Sequence, residues 1–259
     1  MATETAAADA PLATGSARPP LGSATKPTFI TTTSCPYAQR SWIALNEKGV
    51  EYEPVFVDLK SKPEWFFPLN PYGRVPTLAW QEGGEDRSLY ESLVVNEYVE
   101  DGFDGPSLLP ANPLARARAR LLIDQFGAKF SPAFGRVMFA TDAPEAAAAA
   151  SALDEAIRWL DGALDPSGPY ACGDAFTLAD CALAPFAIRL GVLGPLCGYE
   201  PPAGAARVAA WREACLARPS VRASMVPSDP QAYLDKMLDT YKSYVADRKA
   251  AAAAAAAKK

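Results

Sequence analysis

Thr28-Phe29-Ile30-Thr31-Thr32-Thr33-Ser34-Cys35-Pro36-Tyr37-Ala38-Gln39-Arg40 brings two kinds of local order together at one cysteine. The β-branched run TFITTT (28–33) reads as a short buried strand. Pro36 suits the first turn of a helix, where its missing N–H is not needed. That helix continues through Trp42, Ile43, Ala44 and Leu45 and stops at Gly49. Cys35 thus stands at a helix N-terminus, where free N–H groups and the macrodipole favour an anion. The placement predicts a lowered thiol pKa and a reactive thiolate. Ala38 occupies the position of the second cysteine in a Cys-x-x-Cys pair. One sulfur can still attack a disulfide, hold a mixed disulfide and wait for a thiol from solution. A buried structural cysteine is the plainer alternative, and the helix-start position favours the reactive reading.

Beyond this junction the pattern stays regular. VEYEPVFVDL (50–59) alternates apolar and polar residues as a half-buried strand does. KPEWFFPLNPYGRVPTLAW (62–80) holds a helical turn, a Pro/Gly break and a strand around Thr77–Trp80. Gly83-Gly84 turns the chain into the short strand SLY (88–90), and ESLVVNEYVED (91–101) carries apolar residues at helical spacing. The order over 27–103 is β-α-β-α-β-β-α. A Pro/Gly-rich stretch over 104–112 reads as a linker. Over 113–247 the chain is rich in Ala and Leu and reads as all helical. In it Thr177 and Asp180 form a capping-box pair that opens a long helix. Residues 1–26, rich in Ala, Pro, Thr and Ser and without periodicity, read as a disordered arm. Residues 248–259 are an Ala-rich tail that can extend the last helix.

Composition narrows the chemistry. The chain has 259 residues, 49% of them hydrophobic, enough for one large or two small domains. A net charge of −5 and a pI near 5.0 argue against a nucleic-acid partner. By sequence no apolar run reaches the roughly 20 residues of a membrane helix. Histidine is absent, so neither a Ser-His nor a Cys-His nucleophile can form. Cys35, Cys172, Cys181, Cys197 and Cys215 are an odd number at wide spacings. That suits a reducing compartment, with the cytoplasm expected and plastid import left open by the arm, and it gives no thiolate metal site.

Four further positions complete a candidate site. Val75-Pro76 opens a strand, where a cis bond would turn the Val75 backbone toward an extended peptide. Glu91-Ser92 opens a helix, with Ser92 suited to a carboxylate and Glu91 to an ammonium. Lys62 follows the second strand and can meet a carboxylate. Each has a plain structural reading: an edge proline, a cap, a solvated lysine. One ligand would use them all: a small peptide with an amino-acid end, a thiol and a terminal carboxylate, which describes glutathione.

These motifs resemble the cysteine-type glutathione transferases of the omega and lambda classes. CPYAQR (35–40) with WIAL (42–45) resembles the lambda helix start. LKSKPEWFFPLNPYGRVPTL (59–78) and LYESL (89–93) resemble omega, and FTLADCALAPF (176–186) resembles the helical-domain motif of the superfamily. The resemblance implies a thioredoxin-like domain with a mixed sheet and cis-Pro76, followed by an all-helical domain. It implies Cys35 as catalytic thiol, Lys62 on the glycyl carboxylate, Val75 on the cysteinyl backbone, and Glu91 and Ser92 on the γ-glutamyl end. Glutathione-dependent reduction of disulfides or dehydroascorbate is the activity expected, without a metal, with a small electrophile or disulfide as second substrate and a homodimer open. Related dehydroascorbate reductases usually carry Asp-Ser in place of Glu91-Ser92. The alternatives are a glutathione-conjugating enzyme, a carrier of flavonoid- or tetrapyrrole-like ligands, and a channel-like relative. Gln39, Arg40, Asn46, Glu47 and Lys48 weigh against the channel. Phe126, Phe130, Phe134 and Met138 share one side of a helix, as core or as a second-substrate wall, and Tyr233 with Met237 are candidates for a lid.

Overall fold

The computed structural model describes residues 10–256. Strand β1 (Thr28–Thr31) runs into helix α1 (Pro36–Lys48), which Gly49 closes with a left-handed φ of +73°. Then come β2 (Glu53–Phe56), a single 3₁₀ turn (Glu64–Phe66), β3 (Thr77–Glu82), β4 (Glu85–Tyr90) and α2 (Ser92–Gly102). The sheet order is β2-β1-β3-β4, with β1 parallel to β2 and β3 antiparallel to both β1 and β4. Alternation along the strands divides the core. Phe29 and Leu78 join Trp42, Leu45, Val95 and Val99 under α1 and α2, while Ile30 and Ala79 join Val57, Phe66 and Leu69. This is the mixed-sheet, thioredoxin-like architecture expected.

From residue 10 the arm is not the disordered segment its composition suggests; residues 1–9 lie outside the described residues. Leu12 pairs with Val57 along β2, donating to the Phe56 carbonyl at 2.8 Å and accepting from Asp58 N–H at 2.9 Å. Farther on, the Gly22 carbonyl accepts from Gln81 N–H at 2.8 Å, where β1 no longer covers β3. Main-chain pairing of this kind needs no side-chain pattern, so composition could not report it. It also covers an exposed sheet edge.

The second domain contains α3 (Pro113–Phe139), α4 (Ala143–Ala163), α5 (Leu178–Cys197), α6 (Ala206–Ala217), the short α7 (Pro219–Ala223) and α8 (Pro230–Ala256). Helix α7 was not anticipated. The Ala-rich tail continues α8 through Ala256, and the last three residues lie outside the described part. The linker is docked: Leu108 is buried, and its carbonyl accepts from Leu178 N–H at 2.8 Å. Contrary to the sequence expectation, α5 has the length and apolarity of a membrane span. It is buried as the central helix of this domain, and packing on all sides demands the same composition as lipid.

Asp180 fixes the start of α5. Its fully buried carboxylate accepts from Ala171 N–H (2.7 Å), Thr177 N–H (2.8 Å) and the Trp211 indole (2.8 Å), completing the predicted capping box. Asp180→Ala would strand these donors in the core, at about 1–3 kcal/mol each before relaxation. We expect a loss of about 3 kcal/mol or more, read as a lower urea midpoint, with Asp180→Asn losing less.

Candidate active site

Strand register gathers the candidate residues at one end of the sheet. Thr31 lies opposite Phe56, so the chain leaves β1 toward Cys35 beside the exit of β2 toward Lys62. Ile30 lies opposite Thr77, which places Val75-Pro76 next to the β1 exit. Thr77 in turn lies opposite Tyr90, which brings Glu91-Ser92 to the same end.

Cys35 is the N-cap residue of α1, and its Sγ lies 3.9 Å from the Val75 carbonyl oxygen. The Val75–Pro76 bond is cis. Asn70, which the sequence reading passed over, holds this loop from inside. Its amide donates to the Arg74 carbonyl (2.8 Å) and to Thr77 Oγ1 (3.0 Å), and its Oδ1 accepts from Tyr72 N–H (3.0 Å). An asparagine within a Pro-Tyr-Gly turn was the available signal. Gly73, at φ +56°, lets the same loop close on its neighbours. A Cβ there would lie 2.8 Å from the Phe67 ring and 3.3 Å from the stem of Lys62.

Lys62 is half-buried, and its carbonyl accepts from Thr14 Oγ1 of the arm at 3.1 Å. Glu91 is the N-cap of α2 and takes φ +69°, the one non-glycine positive φ among the described residues. Such a conformation costs about 1–3 kcal/mol and persists where the surroundings impose it. Here Ser41 of α1 donates to the Ser92 carbonyl at 3.2 Å, fixing the first turn of α2 against α1.

The Cys35 thiol does not follow the simple helix-terminus expectation. Burial pushes it above its ordinary value, and this effect is the largest. The N–H groups of Ala38 and Tyr37 pull it down, as do the positive charges of Arg189 and Arg40, but the net direction is upward.

Sequence reasoning also missed what stands behind the cysteine. Arg189 of α5 is fully buried and donates to Tyr241 Oη at 2.8 Å, to the Pro185 carbonyl at 2.7 Å and to the Ser34 carbonyl at 3.3 Å. It also donates to Gln39 Oε1 and Tyr233 Oη. A lone arginine inside the apolar run LADCALAPFAIRL (178–190) was the visible signal. Tyr233 and Met237, expected as a lid, are fully buried. Phe126, Phe130 and Phe134 are core, and the first two stack on each other. Met138, partly buried, packs against that core. A cavity of about 590 Å³ between α5 and α6, lined by Leu190, Gly194, Pro201 and Arg212, touches none of the candidate residues.

Two family models match the chain: the glutathione S-transferase N-terminal domain over residues 34–101 and the C-terminal domain over 143–214. Glutathione S-transferase omega-1 of Mus musculus is 30% identical over 61% of this chain and 65% of its own length, just under two thirds. A stringent starvation protein A homolog of Pasteurella multocida is 32% identical over 77% of this chain and 90% of its own. Glutathione transferase Omega 3C of Trametes versicolor superposes with a TM-score of 0.70 at 34% identity, covering 76% of this chain and 88% of that one. With both domain models matched in order and the omega enzymes recurring in sequence and in structure, this chain belongs to the glutathione S-transferase family, in its omega type.

Proposed function

We propose that this protein is a glutathione-dependent thiol transferase acting through a mixed disulfide on Cys35. The observation that carries the reading is a cysteine, rather than a hydroxyl residue, at the N-cap of α1 beside the Val75 carbonyl. A thiolate there can form a disulfide with glutathione, which a hydroxyl cannot. The Cys35 thiolate attacks the glutathione sulfur of a glutathionylated substrate. The substrate leaves as a thiolate and takes up a proton. A second glutathione thiolate then attacks the glutathione sulfur of the mixed disulfide, releasing oxidised glutathione and regenerating Cys35. With dehydroascorbate the thiolate adds to a carbonyl; one glutathione thiolate then attacks the Cys35 sulfur, breaking the carbon–sulfur bond and releasing ascorbate, and a second resolves the mixed disulfide to oxidised glutathione. A reducing compartment, the cytoplasm, suits a chain whose five cysteines are all unpaired. Cys35→Ser should abolish glutathione-dependent reduction of hydroxyethyl disulfide and dehydroascorbate, and wild type treated with oxidised glutathione should carry one adduct, on Cys35. Full activity in the variant, or an adduct only on Cys172 or Cys197, refutes the mechanism.

In this reading the shared sheet end holds glutathione: Lys62 the glycyl carboxylate, the Val75 backbone the cysteinyl unit, Glu91 the α-ammonium and Ser92 the α-carboxylate. Lys62→Ala should raise KM for glutathione about tenfold, with kcat at saturation changed by less than about twofold. A loss confined to kcat would remove Lys62 from the binding role.

A homodimer fits the surface. Leu93 and Val94 of α2 and Leu114 and Leu121 of α3 are exposed, and Arg120–Glu97 joins the two helices at 2.6 Å. Exposed apolar residues beside an ion pair suit a second copy of the chain. Leu121→Asp with Val94→Asp should convert a dimer into a folded monomer in light scattering. A wild-type monomer at micromolar concentration would overturn this.

A further inference from the structure

We propose that Arg189, delivered from the helical domain, is the counter-charge of the Cys35 thiolate and acts as a positioning residue that sets how readily the thiol ionises. The inference rests on the reading of Cys35 as a reacting thiol.

A fully buried guanidinium normally has a carboxylate beside it, because an unpaired charge in the core is costly. Arg189 has none among the described residues. Its partners are the neutral oxygens of Tyr241, Tyr233, Gln39, Pro185 and Ser34. These satisfy the N–H groups and leave the charge uncompensated. Two of them are local to the reacting thiol: Ser34 precedes it, and Gln39 lies on the first turns of the helix that it caps. Tyr233 also donates to Gln39 Oε1 at 3.2 Å, and Gln39 donates to Ser224 at 3.1 Å, so the cation is locked in place.

The groups packed around Cys35 come from three helices and from the β3 side. Helix α1 contributes Tyr37 and Arg40, and Arg40 is itself buried, donating to the Ala182 carbonyl at 2.7 Å with its guanidinium over the rings of Tyr37 and Phe186. Helix α5 contributes Arg189. Helix α8 contributes Tyr233, Tyr241 and Tyr244, the last bonded to Ser34 at 3.3 Å. From the β3 side comes the Val75 carbonyl. Lys62 on the loop after β2 and Glu91 at the start of α2 lie at the same sheet end. Among the α1, α5 and α8 groups packed around the thiol, the two arginines are the cations and none is a carboxylate, so the thiolate is the anion that this set is charged to receive. Burial pushes Tyr233 up to about 12 and Tyr241 upward as well, so neither phenol supplies that anion near neutral pH.

Ionisation is read directly by the pH dependence of Cys35 alkylation with iodoacetamide, followed by mass at Cys35. No turnover is involved, so failure of the thiol-transferase reading leaves this result standing. Arg189→Met should move the inflection to higher pH and slow alkylation at fixed near-neutral pH about tenfold, while Arg189→Lys, which keeps the charge, should retain most of the wild-type inflection. A folded Arg189→Met with an unmoved inflection overturns the proposal, as does an Arg189→Lys inflection as high as that of the Met variant. Should neither variant fold, the ¹⁵Nε resonance of Arg189 in the intact protein decides. It should titrate with the alkylation midpoint in wild type and stay flat across that range in Cys35→Ser. A resonance flat in both, or moving equally in both, overturns the proposal.

Discussion

The architecture turns on helix α1, held between the sheet on one side and α5 on the other. Its apolar residues Trp42 and Leu45 complete the sheet core. Most of its polar side chains bond to neighbouring elements rather than facing water. Gln39 and Asn46 donate to Ser224 and to the Ser220 carbonyl, Arg40 to the Ala182 carbonyl, and Glu47 pairs with Arg218. Lys48 forms a buried pair with Glu100 of α2 at 2.8 Å. Four of the five residues that argue against a membrane-inserting helix thus fasten the two domains, and the fifth, Lys48, ties α1 to α2 within the first. Cys35, which caps this helix, inherits its position from both.

A helix fixed so tightly sets an electrostatic conflict at its own N-terminus. Helix N–H groups favour a thiolate, and the packing that orients them removes the water that would solvate it. The fold answers with cations whose position does not depend on solvent. Similar tension appears at Glu91, where an unfavourable backbone angle opens α2 toward the same end of the sheet. Elsewhere local preference and tertiary packing agree, as at the Thr177–Asp180 box. These departures fall at the sheet end where the proposed glutathione site lies, as local conflicts at functional positions do.

The arm and the α8 segment close the far side of this region. Thr14 and Gly15 bond to the Lys62 carbonyl and to Glu64, and Lys60 pairs with Asp247 of α8 at 2.5 Å. The loop that carries Lys62 is therefore held by chain from both ends of the sequence, so its geometry belongs to the whole molecule.

The sequence alone determined what depends on near neighbours. Strand and helix periods, the caps at Gly49 and Thr177, the cysteine at a strand–helix junction and the loop bearing Val75-Pro76 all follow from residues a few positions apart. The Val75-Pro76 loop and the Glu91-Ser92 helix start were legible because turn and cap chemistry is local, whereas their meeting with Lys62 at one sheet end follows from strand register. Tertiary structure decided the rest. The arm from Leu12 onward is ordered by backbone pairing that composition does not encode. Arg189 reaches the site from more than half the chain away in sequence, bonding to Ser34 through contacts that only folding creates. The direction of the Cys35 pKa reverses because burial, a property of everything packed around the thiol, outweighs the helix terminus that the sequence could see.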